Sequence, residues 1–227
     1  MRTISELPVG IQAQLRPGGN LHMADLSDVD LSNVRLGRAN LTGANLVGAR
    51  LCRAGLVGAD MSTSFLSGAD MRDANMTGAD MRGTDLSEAD MRNAILIATN
   101  LSCANMTNAI LIDANLNRAV LTDTELPHAI MVSCNMVEAN ACDADMTGVN
   151  LTDAHMAHAI LTDVSLTDAA IVGANLIGVD LGGADLTRAD LTCAHMSGAH
   201  VAWARFTDAN LSRVDIDYVD LEDAIDV

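Results

Sequence analysis

Leucine or methionine recurs at every fifth residue along most of this chain. Steps of five from Leu21 to Leu221 give 41 anchor positions without an insertion or deletion, of which 25 are Leu and 11 are Met. We label the anchor i. Position i−2 is Ala in 28 of the repeats, and position i−1 is Asp or Asn in 25. A period of five matches neither the 3.6-residue period of a helix nor the two-residue period of a plain strand.

This period predicts a solenoid. Positions i−2 and i alternate as in a short strand and place both side chains inside, while the small polar residues at i+1 and i+2 favour a turn. If each repeat forms one side of a square, four repeats close a coil, and successive coils stack at roughly 4.8 Å as parallel strands do. The interior is then filled by Leu, Met and Ala. This explains why only 2% of the residues are aromatic, although 49% are hydrophobic.

The repeats carry a family resemblance. Ala39-Asn40-Leu41-Thr42-Gly43 and Ala79-Asp80-Met81-Arg82-Gly83 closely resemble the A(D/N)LxX unit of the pentapeptide-repeat family. The resemblance implies an all-β fold, a right-handed quadrilateral parallel β-helix of about ten four-sided coils. We expect an N-terminal cap at 1–18, an uninterrupted β-helix at 19–223 and a short tail at 224–227. The family that the chain resembles includes acidic, dimeric rods that protect DNA gyrase by imitating duplex DNA.

Acidic residues fall on two adjoining sides of the predicted rod. Because every twentieth residue shares a side, we define four walls by their anchors: first (21, 41 to 221), second (26 to 206), third (31 to 211) and fourth (36 to 216). Their net charges are −8, −7, −2 and 0, which together account for the chain's net charge of −17. The acids that we expect to face a partner on the first two walls are Asp60, Asp80, Asp85, Glu88, Asp123, Glu125, Asp143, Asp145, Asp163, Asp180 and Asp185.

Apolar residues at outward positions show the opposite bias. Positions i−1 and i+1 are expected to face solvent, so branched residues there form a candidate interface on the third and fourth walls, or simply stack as β-formers along the ladders. These residues are Ile95, Ile97, Ile110, Ile112, Ile130, Val132 and Val172. Three aromatic residues near the end, Trp203, Phe206 and Tyr218, indicate either a C-terminal cap or the contact of an end-to-end homodimer.

Several function classes are disfavoured. A strongly acidic chain repels phosphate backbones and anionic membranes, so we expect no direct nucleic-acid or membrane binding. The six His and five Cys are scattered, and the unbroken register offers no inserted loop for an active site. We therefore expect no catalytic residue, metal or cofactor, no disulfide, and a cytoplasmic location.

Two interpretations of function remain at this point. The first is a DNA mimic whose acidic walls bind a basic-grooved protein such as DNA gyrase. The second is a structural or scaffold rod that binds a partner or itself through its apolar walls, with the acids serving solubility.

Overall fold

A computed structural model describes residues 1–226 of the chain. It begins with a 3-10 helix at Ile4–Glu6 and a single-turn α-helix, α1, at Val9–Gln12. From Asn20 onward, the described chain alternates two-residue turns with single-residue parallel β-bridges. None of its described helices is long and apolar enough to cross a membrane.

The bridges define a coil of twenty residues. From Asn20 to Ile225, each bridged residue at position i−1 pairs in parallel with the residue twenty positions further on, as in Asn40 with Asp60 and Asp60 with Asp80. Twenty residues are four repeats. The predicted stack of four-repeat parallel coils, a β-helical solenoid, is therefore confirmed.

Backbone amides tie each coil to its neighbours on both sides. The amide of Leu41 donates to the carbonyl of Asp60 at 2.6 Å, and the amide of Gly43 donates to Ser62 at 3.0 Å, both in the following coil. The amide of Asp60 donates back to Ala39 in the preceding coil at 3.0 Å. Three of the five amides in a repeat are satisfied in this way, which is why the coils stack in register.

A tight turn separates one repeat from the next. The amide of Ala44 donates to the carbonyl of Leu41 at 2.9 Å, and this bond closes a four-residue turn. From Met23 to Tyr218, every residue at i+2 has a φ between 53° and 71°. A positive φ at only the second central residue is the geometry of a type II turn.

The Asp or Asn at i−1 satisfies the last amide of the repeat. The Asn40 side-chain oxygen accepts the N–H of Thr42 at 3.0 Å, and Asp60 makes the same contact with the turn that follows it. Glu125 replaces the usual residue in the repeat whose i+1 residue, Pro127, has no N–H to satisfy. The preference for Asp and Asn at i−1 thus follows from the turn, because their side chains accept its N–H.

The interior follows the repeat. Every anchor from Leu21 to Phe206 is buried, and so are the residues at i−2 in these repeats, apart from the half-buried Val34. Four of the buried i−2 residues are polar, and each hydroxyl donates to a backbone carbonyl: Ser64, Thr84, Thr99 and Thr124. Phe65 lies outside, at an i−1 position, whereas Phe206 is an interior anchor in one of the last coils.

The two ends of the solenoid differ. At the N-terminus Leu7 is buried and Ile11 and Leu15 pack against the first coils. There, the ion pair of Arg2 with Asp25 measures 3.2 Å. These contacts support the interpretation of residues 1–18 as a cap, which stays a prediction, as do the limits 19–223 and 224–227; Val227 lies outside the described residues.

At the C-terminal end the anchors of the last coil are only partly covered, and Ile216 is 48% exposed. A shallow apolar depression opens there. It is lined by Met196, Phe206, Leu211, Val214, Ile216, Val219 and Leu221.

Candidate interaction surfaces

The acidic residues on the first two walls occupy two kinds of position. The four at i+2 extend from the turns and are exposed: Glu88, Asp123, Asp143 and Asp163. The seven at i−1 lie on the bridged ladder and are either exposed or half-buried: Asp60, Asp80, Asp85, Glu125, Asp145, Asp180 and Asp185. The structure stacks Asp123, Asp143 and Asp163 in three successive coils of the first wall.

Carboxylates at i−1 are fixed by their own turns. The Asp145 carboxylate accepts the N–H of Thr147 at 3.0 Å, and Asp185 accepts both the N–H and the hydroxyl of Thr187. Partial burial opposes ionisation of Asp185, but the bonds from Thr187 outweigh it and lower the pKa of Asp185. This carboxylate is therefore charged and held in a defined direction.

Most of these acids lack a cationic neighbour. Asp80 pairs with Arg82 at 2.8 Å and Asp180 contacts His200 at 2.9 Å. Within residues 1–226, the other nine have no Arg or His nitrogen within 4.0 Å. The negative charge of the first and second walls is thus largely uncompensated.

The third wall behaves differently. Arg72 contacts Asp70 at 2.8 Å and Arg92 contacts Asp90 at 2.6 Å, while Arg50 approaches Asp70 from the preceding coil at 3.8 Å. The Arg72 guanidinium holds the pKa of Asp70 well below its usual range. Local pairing here strengthens the contrast between the walls.

The apolar candidates are less accessible than the sequence predicts. Ile95, Ile97, Ile110, Ile112, Val132 and Val172 are all half-buried, and Ile130 alone reaches the exposed class, at 38%. Ile110 and Ile130 are bridged directly in adjacent coils. Side chains at i−1 and i+1 cover one another along their ladders. The expectation that these positions face solvent fully is therefore wrong.

The three C-terminal aromatic residues do not form one cluster. Phe206 is an interior anchor with 3% exposure, Trp203 is 65% exposed on the first wall, and Tyr218 is 93% exposed on the fourth. Among the three, only Phe206 lines the depression at the C-terminal end. Whether they form a cap or a dimer contact stays a prediction.

Sequence reasoning missed one grouping on the first wall. A depression near Trp203 is also lined by Asp163, Asp180, His200 and a pair of glycines. The signal was present, because residues 163, 183 and 203 are twenty apart, as are 180 and 200. Trp203 therefore lies beside the acids of the first wall as well as near the end of the rod.

The cysteine and histidine residues are, by type, candidate metal ligands, and the cysteines are candidate partners in disulfides. Residues 1–226 contain no group of three His, Cys, Asp or Glu residues arranged to hold a metal ion. All five cysteines are free thiols, and burial raises the pKa of the Cys134 thiol to about 12. That thiol is a small interior filler.

Comparison with known proteins matches the repeat. The family profile for pentapeptide repeats matches in eight copies, over residues 20–56, 30–73, 54–93, 99–136, 134–170 and 171–208. No curated protein sequence matches the chain.

Solved structures similar to this chain include those of two proteins, HetL and QnrB1. HetL, a pentapeptide repeat protein involved in heterocyst differentiation regulation from the cyanobacterium Nostoc sp. strain PCC 7120, is 29% identical over 86% of each chain, with a TM-score of 0.53. A trypsin-treated form of QnrB1, a plasmid-mediated fluoroquinolone resistance protein, is 16% identical over 78% of this chain and 90% of its own, with a TM-score of 0.70. The likeness to QnrB1 is one of fold.

Proposed function

Because this chain belongs to the pentapeptide-repeat family, we propose that it is a non-catalytic interaction rod. Its first and second walls bind a protein that has a basic groove, in the manner of a DNA mimic. In this proposal the coils are right-handed and the protein acts in the cytoplasm. DNA gyrase is the first partner to test, because the family resemblance includes acidic gyrase-protecting rods.

One observation carries the proposal. Within the described residues, nine acids on two adjoining walls have no Arg or His nitrogen within 4.0 Å, whereas Asp70, Asp73 and Asp90 of the third wall pair with arginines. Stacked coils repeat these carboxylates at roughly 4.8 Å. A groove that accepts duplex DNA presents arginines and lysines to phosphates that recur about every 3.4 Å of helix axis on each strand, which is on the order of the same interval. Complementary potentials of this kind speed encounter and select the partner.

A supercoiling assay with purified DNA gyrase, with and without a fluoroquinolone, tests the proposal. We expect the protein to change supercoiling or its sensitivity to the drug, and we expect the effect to weaken as salt screens the acidic walls. No effect at excess protein would remove gyrase as the partner.

A matched pair of triple variants tests the walls. Asp143→Lys, Asp145→Lys and Asp163→Lys reverse charge on the first and second walls and should abolish binding. The control, Asp113→Lys, Asp153→Lys and Asp190→Lys, makes the same changes at two i+2 positions and one i−1 position of the third wall. If the control variant loses as much activity as the first, overall charge is responsible and the two acidic walls are not the binding surface.

A second candidate function is a scaffold that binds through the apolar part of the third wall. The observation that favours it is the direct stacking of Ile110 on Ile130, with Ile112 and Val132 beside them. The Ile112→Asp, Ile130→Asp variant should then lose self-association or partner capture. A chain that is monomeric by mass and unaffected by these substitutions excludes this function.

An end-to-end homodimer is a third feature of the proposal. The apolar depression around Phe206, Leu211 and Ile216 supports the dimer. Burial of this apolar surface by a second copy would lower the free energy. Light scattering should give twice the chain mass, and Ile216→Lys should return the mass to that of one chain. A wild-type protein with the mass of a single chain contradicts the dimer.

A further inference from the structure

The first wall carries a notch near its C-terminal end that is open to solvent. Its volume is about 530 Å³, and Trp203, Asp163, Asp180 and His200 surround it. Trp203 is the single tryptophan of the chain. An indole with most of its surface exposed on a strongly charged wall is unusual, because large aromatic rings are ordinarily buried or used in an interface.

Two consecutive glycines form the floor of the notch. Gly182 and Gly183 make the one turn of the 41 repeats in which both central residues are glycine. A Cβ at Gly183 would collide with the Asp163 carboxylate, and one at Gly182 would lie 3.3 Å from the Asp180 carboxylate and 3.5 Å from the His200 ring. Without side chains here, the carboxylate of Asp163 lies over the bare turn.

The sides of the notch are held by backbone and side-chain bonds. The amide of Gly182 donates to Asp180 Oδ1 at 3.0 Å, and His200 Nδ1 lies 2.9 Å from the same oxygen. The amide of Gly183 donates to the carbonyl of Ala202, next to Trp203, at 2.9 Å. Within residues 1–226, His200 is the only basic side chain that pairs with Asp180, and no Arg or His nitrogen lies within 4.0 Å of the Asp163 carboxylate.

The register fixes the spacing of the notch. Asp163, Gly183 and Trp203 occupy the same i+2 position in three successive coils, so the carboxylate and the indole are attached two coils apart, roughly 10 Å. The intervening position, Gly183, has no side chain, and the Asp163 carboxylate occupies the space above it. A planar group that enters the notch can therefore contact this carboxylate and the indole attached in the next coil.

We propose that this notch binds an arginine side chain of the protein partner. A guanidinium is planar and permanently charged, stacks on an indole face, and donates paired hydrogen bonds to a carboxylate. A lysine ammonium pairs with the carboxylates but does not stack in the same way, so it binds more weakly. The inference rests on the proposed function and deepens it, since it names the group by which the basic partner is anchored on the first wall.

Tryptophan emission gives a direct test, because Trp203 is the only indole. The probe is the blocked tripeptide acetyl-Gly-Arg-Gly-amide, and the control is the same peptide with citrulline, which keeps the shape and lacks the charge. We expect a saturable change in emission with the arginine peptide and none with citrulline. A lack of saturation with the arginine peptide overturns the proposal.

Variants with matched controls locate the site. Gly183→Asn fills the notch and displaces the Asp163 carboxylate from above the turn. The backbone accepts the change, because Asn33, Asn93 and Asn108 already occupy this position with φ near 60°. Asp180→Asn keeps the turn bond and removes the charge, while Asp190→Asn makes the same change on the third wall, where Asp190 accepts the N–H of Thr192. We expect Gly183→Asn and Asp180→Asn to weaken peptide binding about tenfold and Asp190→Asn to leave it unchanged, a tenfold change being about 1.4 kcal/mol.

The aromatic contact needs a readout that does not use the indole. When the arginine peptide is added to the wild type, the ¹⁵N amide chemical shifts of Gly182 and Gly183 should change. The same peptide should leave these shifts unchanged in Trp203→Ala. Tyr218→Ala, which removes another exposed ring from the fourth wall, should behave as the wild type. Equal shifts in the two variants would exclude stacking on Trp203.

The outcomes separate this inference from the proposed function. If the peptide binds as expected and gyrase supercoiling is unaffected, gyrase fails as the partner and the arginine site stands. If supercoiling responds to the wild type and to Gly183→Asn alike, and the peptide does not bind, the acidic-wall function stands and the arginine site is wrong.

Discussion

Single residues carry backbone strain at most turns of this protein. Twenty-nine of the forty i+2 residues from Met23 to Tyr218 are not glycine, yet all forty have a positive φ. A left-handed conformation costs an L-residue about 1–2 kcal/mol, and Asp and Asn tolerate it best. Ala98 has neither a polar side chain to compensate nor the freedom of glycine.

Ala98→Gly should therefore stabilise the protein by up to about 1 kcal/mol, because relief of the left-handed strain exceeds the extra chain entropy that glycine loses. Ala94→Gly, four residues earlier, should destabilise it, because the Ala94 side chain is fully buried. Urea unfolding midpoints measure both changes. A lower midpoint for Ala98→Gly would show that the turn does not strain alanine.

Asp70 makes stability sensitive to acid. Its pKa in the folded protein is lowered by the Arg72 guanidinium, so the stabilisation is present above the ordinary Asp pKa of about 3.9 and is lost as pH falls toward the folded value. Carboxyl ¹³C shifts should show Asp70 ionised below pH ~3.9, and Arg72→Gln should move its titration upward. A titration of Asp70 that Arg72→Gln leaves unchanged contradicts this assignment.

At the scale of elements, the N-terminal segment and the repeats depend on different contacts. The segment before Gly19 is anchored by Leu7 and by the pairing of Arg2 with the first coils, where the amide of Asp30 donates to the Arg2 carbonyl at 2.9 Å. Within the coils, each repeat instead satisfies its own turn and its two neighbours. The segment can therefore open while the coils stay folded.

Leu7→Ala should release the N-terminal segment, because loss of a buried leucine costs about 2 kcal/mol or more. The amide of Asp30 should then exchange its hydrogen faster, while amides in the middle coils keep their protection. Val9→Ala, at an exposed position, is the control and should change neither. Uniform loss of protection over all coils would show that the segment is part of one cooperative unit.

The sequence predicted the coil because the five-residue period has no break between residues 19 and 223, so residue number alone places every side chain on a wall. It did not predict how an arginine chooses its partner. Arg72 bonds to Asp70 in its own repeat, whereas Arg188 bonds to Asp168 in the preceding coil. A long, flexible arginine side chain reaches a carboxylate in its own repeat and one in the neighbouring coil, and the register does not determine which of the two it contacts. The turn bond that explains Asp and Asn at i−1 was likewise visible only in the structure.

For the whole molecule, uncompensated charge opposes folding. The net charge of −17 concentrates on two adjoining walls, and like charges held on a compact rod repel one another. Salt reduces the repulsion between these exposed charges more than it reduces the attraction within the short ion pairs of the third wall.

Sodium chloride should therefore raise the thermal unfolding midpoint. Asp85→Asn, Asp145→Asn and Asp185→Asn keep an amide oxygen for their turns and remove three charges from the second wall, so they should reduce the dependence on salt. Thermal unfolding followed by circular dichroism at several salt concentrations measures this dependence. A midpoint that falls with salt would show that ion pairs outweigh repulsion.

The twenty-residue register makes chain length a measure of both distance and angle. Removing one whole coil, for example residues 99–118, would bring the Trp203 notch roughly 4.8 Å closer to the acids near the N-terminus and leave every wall intact. Removing a single repeat of five would instead turn the distal part by a quarter revolution, which places the notch on a neighbouring wall. Variation in length that preserves a partner's contacts must therefore come in steps of twenty residues.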